Sequence, residues 1–130
     1  GYAMPVTPYG KPISLSRAKA MAALCSQYSV EKGWAMAICL VDCGGHLIYF
    51  EREDGTQIAS LQMAIDKAKC AVTFKRTTKD FEDRIAAGTL RVLGMNGVCP
   101  VEGGIPLEER GEIIGAIGVS GGSAAQDGGV

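Results

Sequence analysis

Glycines that recur within an apolar segment near the C-terminus constrain the fold of this chain more than any other feature. The segment reads GGIPL from residue 103 and EIIGAIGVSGG from residue 112. Glycine weakens a β-strand unless a bulge, a tight bend or the close approach of a backbone or a ligand requires the absence of its side chain. The repeated glycines therefore predict that this strand lines a site or lies very close to a partner.

Length and charge limit the class of protein. A chain of 130 residues forms one domain. The 13 Lys and Arg residues nearly balance the 14 Asp and Glu residues, so the chain lacks the positive charge that binds nucleic acid or an anionic membrane. The apolar run at 35–41 is far shorter than the roughly 20 residues that span a bilayer, and no leader sequence opens the chain. We expect a cytoplasmic protein with a small-molecule or protein partner, and residues 1–3 left over from expression.

The cysteines indicate a reducing compartment. Their number is odd and their spacing is irregular, in a chain of 47% apolar composition. This pattern favours reduced thiols packed as small hydrophobic side chains over a disulfide framework. The residues are Cys25, Cys39, Cys43, Cys70 and Cys99.

The hydrophobic periodicity predicts a helix, a hairpin, two more helices and a strand meander, in that order. Ser14 or Ser16 caps the first helix, and Lys32-Gly33 ends it. The predicted helices are 16–32, 59–74 and 78–87, and the predicted strands are 34–41, 46–53, 98–101, 105–108 and 112–119. Because no helix crosses over between parallel strands, the fold class is α+β, an antiparallel sheet with helices packed against it.

Two short patterns imitate functional motifs. Residues 118–122 read G-V-S-G-G and match a nucleophile elbow around Ser120, but in elbow families the histidine follows the serine, and His46 precedes it here. Cys39, Cys43 and His46 are close in sequence, yet they make an incomplete structural zinc site. We interpret them as packing cysteines and a turn histidine, and we predict no metal site.

Three groups of charged residues are candidates for binding or catalysis. Lys67 shares a face of the central helix with small or apolar residues, so it either extends to solvent or points into a cavity where a bound anion keeps it charged. Glu102 precedes two glycines and is either a carboxylate that a ligand can approach closely or an exposed loop acid. Arg52 and Asp54, at the end of the hairpin, are a solvated surface pair or further ligand contacts.

Five motifs resemble, in order and spacing, the GlcG/HbpS family, which includes the C-terminal domain of PduO. They are VDCGGHL at 41–47, DG at 54–55, AIDKA at 64–68, GGIP at 103–106 and the segment 111–122. The resemblance runs from about residue 15 to residue 127. It implies a profilin-like α+β domain with a five-stranded antiparallel sheet and flanking helices, assembled as a homo-oligomer.

Family members are described as haem-binding or haem-degrading proteins, some bind or accompany corrinoids, and others accompany the catabolism of small organic acids and aromatic compounds. Some ligate haem iron through a histidine on the first helix, and helix 16–32 contains none. The family's central-helix lysine matches Lys67, and its double glycine matches Gly103-Gly104. His46 matches a turn histidine, which implies a turn or an oligomer contact.

Our leading hypothesis is a small-ligand-binding protein of the haem type, with haem or a corrinoid as the ligand. An anionic, partly planar molecule lies between the central helix and the last strands, and Lys67 pairs with its carboxylate. The glycine backbone makes close contacts with it. The predicted ligand-binding residues are Lys67, Gly103, Gly104, Ser120, Glu102, Arg52 and Asp54.

Two alternatives come from other classes of protein. In the first, the protein is an enzyme that hydrolyses or tautomerises a small enol or imine acid, in which Lys67 orients the carboxylate and Glu102 moves protons. In the second, the protein is an assembly module without chemistry, in which the glycines only allow tight subunit packing.

Overall fold

The computed structural model describes residues 7–122, so the predictions for residues 1–3 and for residue 127 lie outside the described part. A four-stranded antiparallel sheet, in the order β2-β1-β4-β3, lies between helices, which confirms the α+β class. The elements are α1 (Leu15–Lys32), β1 (Ala37–Asp42), β2 (Leu47–Arg52), α2 (Ala59–Phe74), α3 (Thr78–Ala86), a 3₁₀ turn (Leu90–Gly94), β3 (Gly104–Glu109) and β4 (Glu112–Ser120).

The first helix has the ends that its sequence predicts. The Ser14 hydroxyl accepts a hydrogen bond from the backbone N–H of Arg17 at 3.3 Å, which satisfies one of the donors that a helix start leaves unpaired. Gly33 ends the helix in the left-handed conformation, with φ of 72°. Of the two serines considered as caps, Ser14 is therefore the one used.

The prediction of a strand at 98–101, and with it a five-stranded sheet, is wrong for the described residues. Pro100 has no N–H to donate to a neighbouring strand. The N–H of Cys99 donates to the Cys70 sulfur, and that of Val101 donates to the Cys99 carbonyl two residues back. Because these donors are used locally or by a helix side chain, the segment forms a loop over α2.

Both hairpins have the turns that the sequence predicts. In the first, the Asp42 carboxylate accepts the N–H groups of Gly44 and His46 at 2.8 and 2.9 Å. In the second, Arg110 and Gly111 both have positive φ, 53° and 78°, as a two-residue turn between antiparallel strands requires. These turns fix the register of β1 with β2 and of β3 with β4.

Each face of the sheet is covered by a different helix, because alternate residues of a strand point to opposite faces. On the face that packs against α1, here called the α1 face, the strand side chains are large. They include Ile38, Leu40, Ile117 and Val119, packed with Met36 just before β1 and with Ala18 and Ala22 of the helix. On the opposite α2 face most of them are small, although Ile113 of β4 also belongs to this cluster. They include Ala37, Cys39, Val41 and Ala116, packed with Ala64, Ala68 and Ala71 of α2.

Candidate functional site

The glycines of β3 and β4 allow the backbone of α2 to lie directly against the sheet. A Cβ on Gly118 would overlap the Ala64 carbonyl oxygen and would lie 2.6 Å from the Ala68 nitrogen. A Cβ on Gly104 would overlap the Lys67 carbonyl oxygen. Of the two alternatives that the glycines raised, close contact with a partner element is the one observed at these positions.

Lys67 lies at the centre of this contact. Its side chain is fully buried, and its Nζ donates a hydrogen bond to the Val119 carbonyl oxygen at 3.0 Å. A Cβ on Gly103 would lie 3.0 Å from Lys67 Nζ and 2.6 Å from the Val119 oxygen. We call Lys67, Gly103, Gly104 and Val119 the lysine seam. The lysine does not extend to solvent, so the seam holds a buried cationic group, which is costly unless it is well bonded.

Two serine hydroxyls are also buried near this end of the α2 face. Ser60 precedes Lys67 by two helical turns on the same side of α2. Its Oγ is buried and has no hydrogen-bond partner among residues 7–122. Ser120, the last residue of β4, pairs with Ala37 in the sheet and is 5% exposed. A buried hydroxyl without a partner costs roughly 1–3 kcal/mol, so Ser60 is an unsatisfied group that a bound molecule could satisfy.

Glu102 directly precedes the seam in sequence, but its contacts are with α3. Its backbone N–H donates to a carboxylate oxygen of Glu82 at 3.3 Å. The pKa of Lys79, also on α3, is raised first by its hydrogen bond to Asp83 and less strongly by nearby charges that include Glu102. The half-buried Glu102 therefore belongs to a charged cluster on the surface of α3.

The end of the first hairpin holds an anchoring residue that the sequence analysis did not identify. Arg52 and Asp54 are exposed. Glu53, between them, accepts hydrogen bonds from the Ser29 hydroxyl at 2.8 Å and the Met36 N–H at 2.9 Å, which join α1 to the start of β1. Residues 51–54 are four consecutive charged residues, so no sequence pattern distinguishes the anchor from its neighbours.

Cys39, Cys43 and His46, which are close in sequence, have different contacts in the structure. His46 lies in the hairpin turn with its side chain 83% exposed and Nδ1 3.4 Å from an Asp42 oxygen. The Cys43 thiol donates to the Gly10 carbonyl at 3.3 Å. Cys39 is buried under α2, and this burial raises its pKa to about 12. Within residues 7–122, no group of three or more histidine, cysteine or carboxylate side chains could hold a metal ion.

A second cluster on α2, which the sequence analysis did not identify, is rich in sulfur. The buried thiols of Cys70 and Cys99 pack with Phe81 and Val92, and Met63 packs against them. A surface cleft of about 440 Å³ opens onto this cluster. It is lined by Met63, Asp66, Lys69 and residues 97–101. The two cysteines are 29 residues apart, so only the fold brings them together.

These observations define an α+β domain whose central helix packs on sheet glycines around a buried lysine. Residues 13–130 match the family described as haem degrading protein HbpS-like, and the chain belongs to this family. It is 32% identical over 108 residues to protein GlcG of Escherichia coli K12, which covers 83% of this chain and 81% of GlcG.

Solved structures share the fold. The crystal structure of Klebsiella pneumoniae ORFY matches with a TM-score of 0.85 and 27% identity, over 98% of this chain and 90% of that one. The PduOC–haem complex matches with a TM-score of 0.81 and 24% identity, over 91% and 88% of the two chains. In the part of this chain that the structure describes, each helix is too short or too polar to cross a membrane.

Proposed function

We propose that this protein binds a planar tetrapyrrole of the haem type, and that it does so through the carboxylates of the ligand. Lys67 would pair with one carboxylate, and Gly103 and Gly104 would let the backbone approach the ligand. The family's description as haem-degrading and the haem complex of a structural relative support the class of ligand. The observation that carries the proposal is a fully buried lysine against glycine backbone.

The chemistry of the lysine seam is suited to an anion. Charge-assisted hydrogen bonds between an ammonium and a carboxylate are roughly twice as strong as neutral ones, and a surrounding of low dielectric strengthens them further. The Ser60 hydroxyl could donate to the same ligand, since no group in the described part of the chain accepts from it. Because Lys67 is fully buried, a ligand can reach it only if the segment at Gly103 moves away from α2.

The residues fit the carboxylates of a tetrapyrrole better than they fit its iron. The single histidine of the chain, His46, is exposed in a hairpin turn, and α1 contains none. Neither His46 nor α1 therefore places an imidazole in the interior of the fold. We therefore propose that recognition depends on the carboxylates and not on a histidine bound to iron.

A haemin titration followed by the Soret band tests this proposal. We expect a saturable one-to-one shift that Lys67→Met weakens roughly 30-fold or more, as expected when one partner of a buried charged pair is removed. Lys69→Met is the matched control, because Lys69 lies on the same helix with an exposed side chain, and it should leave the affinity unchanged.

A ligand-side experiment covers the case in which Lys67→Met does not fold. The dimethyl ester of the porphyrin lacks the carboxylate charges, so the wild-type protein should bind it far more weakly than the free acid. Equal binding of ester and acid would contradict the role given to Lys67. The enzyme alternative makes a different prediction. Haemin would give no saturable shift, and the protein would turn over a small enol or imine acid. Loss of that activity in Glu102→Gln would replace this proposal with the enzyme alternative.

We also propose that the protein is a homo-oligomer. Several large apolar side chains are exposed on the described surface, and contiguous exposed apolar surface is typical of subunit contacts. They include Leu24 and Val30 of α1 and Leu90 and Leu93 of the 3₁₀ turn. Sedimentation velocity should give a mass of at least twice the 13.6 kDa of one chain, and a monomer at micromolar concentration would contradict this.

A further inference from the structure

Cys70 and Cys99 lie in one buried cluster beside the lysine seam, since Cys70 is three residues after Lys67 on α2. The Sγ of Cys70, on α2, accepts a hydrogen bond from the backbone N–H of Cys99 at 3.3 Å. Both residues are buried in one apolar cluster, and both cysteines are free. The fold therefore holds two unoxidised sulfurs from separate elements at one place.

A third sulfur completes the group. Met63 precedes Cys70 by seven residues, which places the two side chains on the same side of the helix. Met63 packs against the apolar cluster that contains both cysteines, and it lines the surface cleft together with Cys99. The cleft gives an ion from solvent a route to Met63 and Cys99, and Cys70 lies behind them in the same cluster.

We propose that Cys70, Cys99 and Met63 form a binding site for a soft monovalent cation, Cu(I). Thiolate and thioether ligands select Cu(I), whereas zinc takes four ligands from cysteine, histidine and carboxylate. The carboxylate that lines the cleft, Asp66, accepts a hydrogen bond from the Gln62 side chain at 2.9 Å. The donor set is thus two thiols and one thioether, which suits a two- or three-coordinate ion.

Binding exchanges protons for the metal without any change of oxidation state. Burial raises the pKa of Cys99 to about 11 and also raises that of Cys70, so both are thiols at neutral pH. Cu(I) forms two Cu–S bonds as two S–H bonds break, and two protons go to solvent. The bound complex carries a net negative charge. The positive charge of Lys67 favours the Cys99 thiolate, and that of Arg76 favours the Cys70 thiolate. The negative charge of Asp66 disfavours the Cys99 thiolate.

The test is an anaerobic titration of the reduced, full-length protein with Cu(I) in competition with a chromophoric Cu(I) chelator. We expect one ion per chain. Cys99→Ser should weaken binding by more than the roughly 10- to 100-fold that loss of an outer partner of a metal site costs. Met63→Leu conserves the side-chain volume, so it removes the thioether with little effect on folding, and it should also weaken binding.

Cys25→Ser and Cys43→Ser are the matched controls, because both remove a half-buried thiol elsewhere in the fold. Unchanged binding in these controls, together with an X-ray absorption spectrum showing two or three sulfur neighbours around copper, would support the site. Full affinity in both Cys99→Ser and Met63→Leu would overturn it. If Cys99→Ser does not fold, Met63→Leu and the absorption spectrum decide, and copper with nitrogen or oxygen neighbours would overturn the proposal.

Discussion

The two faces of the sheet pack helices in opposite ways. On the α1 face, large side chains of β1 and β4 fill the space between the sheet and the small residues of α1. On the α2 face, alanines and glycines meet alanines, so the backbone of α2 approaches the strands directly. Large side chains therefore fill the space between α1 and the sheet, whereas the small residues of the α2 face allow close contact between the backbones of α2 and the strands.

The buried polar and sulfur-containing side chains that are candidates for binding lie at or near the α2 face. Lys67, Ser60 and Cys70 lie on α2, and the other buried candidates, Ser120 and Cys99, lie on β4 and on the loop over α2. A helix pressed against glycine backbone can bring a polar side chain to strand carbonyls, as Lys67 Nζ does at Val119. The α1 face, filled by aliphatic side chains, offers no comparable contact among the residues of its core.

Enlarging a residue on the α2 face should have the largest effect. Gly118→Ala would force a Cβ into the backbone of α2 at Ala64, and we expect it to lower the free energy of unfolding by about 3 kcal/mol or more. Gly94→Ala is the control, since a Cβ there meets nothing within 4 Å, and it should change stability by less than about 0.5 kcal/mol. Urea denaturation measures both. Equal effects would show that α2 does not need the glycine.

Truncation should be costly on the α1 face instead. Leu40 is fully buried there, and Leu40→Ala should lower the free energy of unfolding by about 3 kcal/mol through lost burial and the cavity left behind. The same measurement on Ala68→Gly, on the α2 face, should show roughly 1 kcal/mol, which is mainly the helix penalty of glycine. A larger loss for Ala68→Gly than for Leu40→Ala would contradict the contrast between the faces.

Alkaline pH should destabilise the protein through the α2 face. Burial raises the pKa of Cys39 from 9.0 to about 12, so the folded state holds a thiol proton that the unfolded state releases. This contribution is complete below pH 9 and is lost as the pH rises towards 12, by at most roughly 1.4 kcal/mol per pH unit. Cys39→Ala should make the decrease between pH 9 and pH 11 shallower. An unchanged slope would show that other groups cause it.

The smallest effect should come from Ser60. Its buried hydroxyl bonds to no other described residue, so Ser60→Ala removes an unpaired polar group and replaces serine with a stronger helix former. We expect a gain of about 1 kcal/mol in the free energy of unfolding, measured by thermal or urea denaturation. A loss of stability would mean that the hydroxyl is satisfied in solution.

Elements with strong periodicity could be predicted from the sequence. The bounds of α2 follow from its apolar spacing, and those of α1 follow from Ser14 and Gly33 within one residue. The segment 98–101 resembled a strand because it is apolar, but no local pattern shows that its donors are used by Cys70 and by its own turn.

The candidate site was only partly predictable, because part of it depends on contacts between residues that are distant in sequence. The sequence identified Lys67 because it is a charged residue on a helix face of small residues. The glycines of the last strands indicated that another backbone or a ligand lies close to them. The contact between Cys70 and Cys99 depends on residues distant in sequence. Glu53 lies within a run of charged residues, and only its hydrogen bonds to Ser29 of α1 and to the Met36 N–H distinguish it as an anchor.

The central claim is that the protein recognises a tetrapyrrole through carboxylates at the α2 face. The most direct test compares the affinity of the wild-type protein for haemin and for metal-free protoporphyrin IX, which carries the same carboxylates. We predict dissociation constants within about threefold of each other, a difference below 1 kcal/mol. Saturable haemin binding with metal-free porphyrin about 100-fold weaker would contradict this claim and would assign recognition to a ligand of the iron.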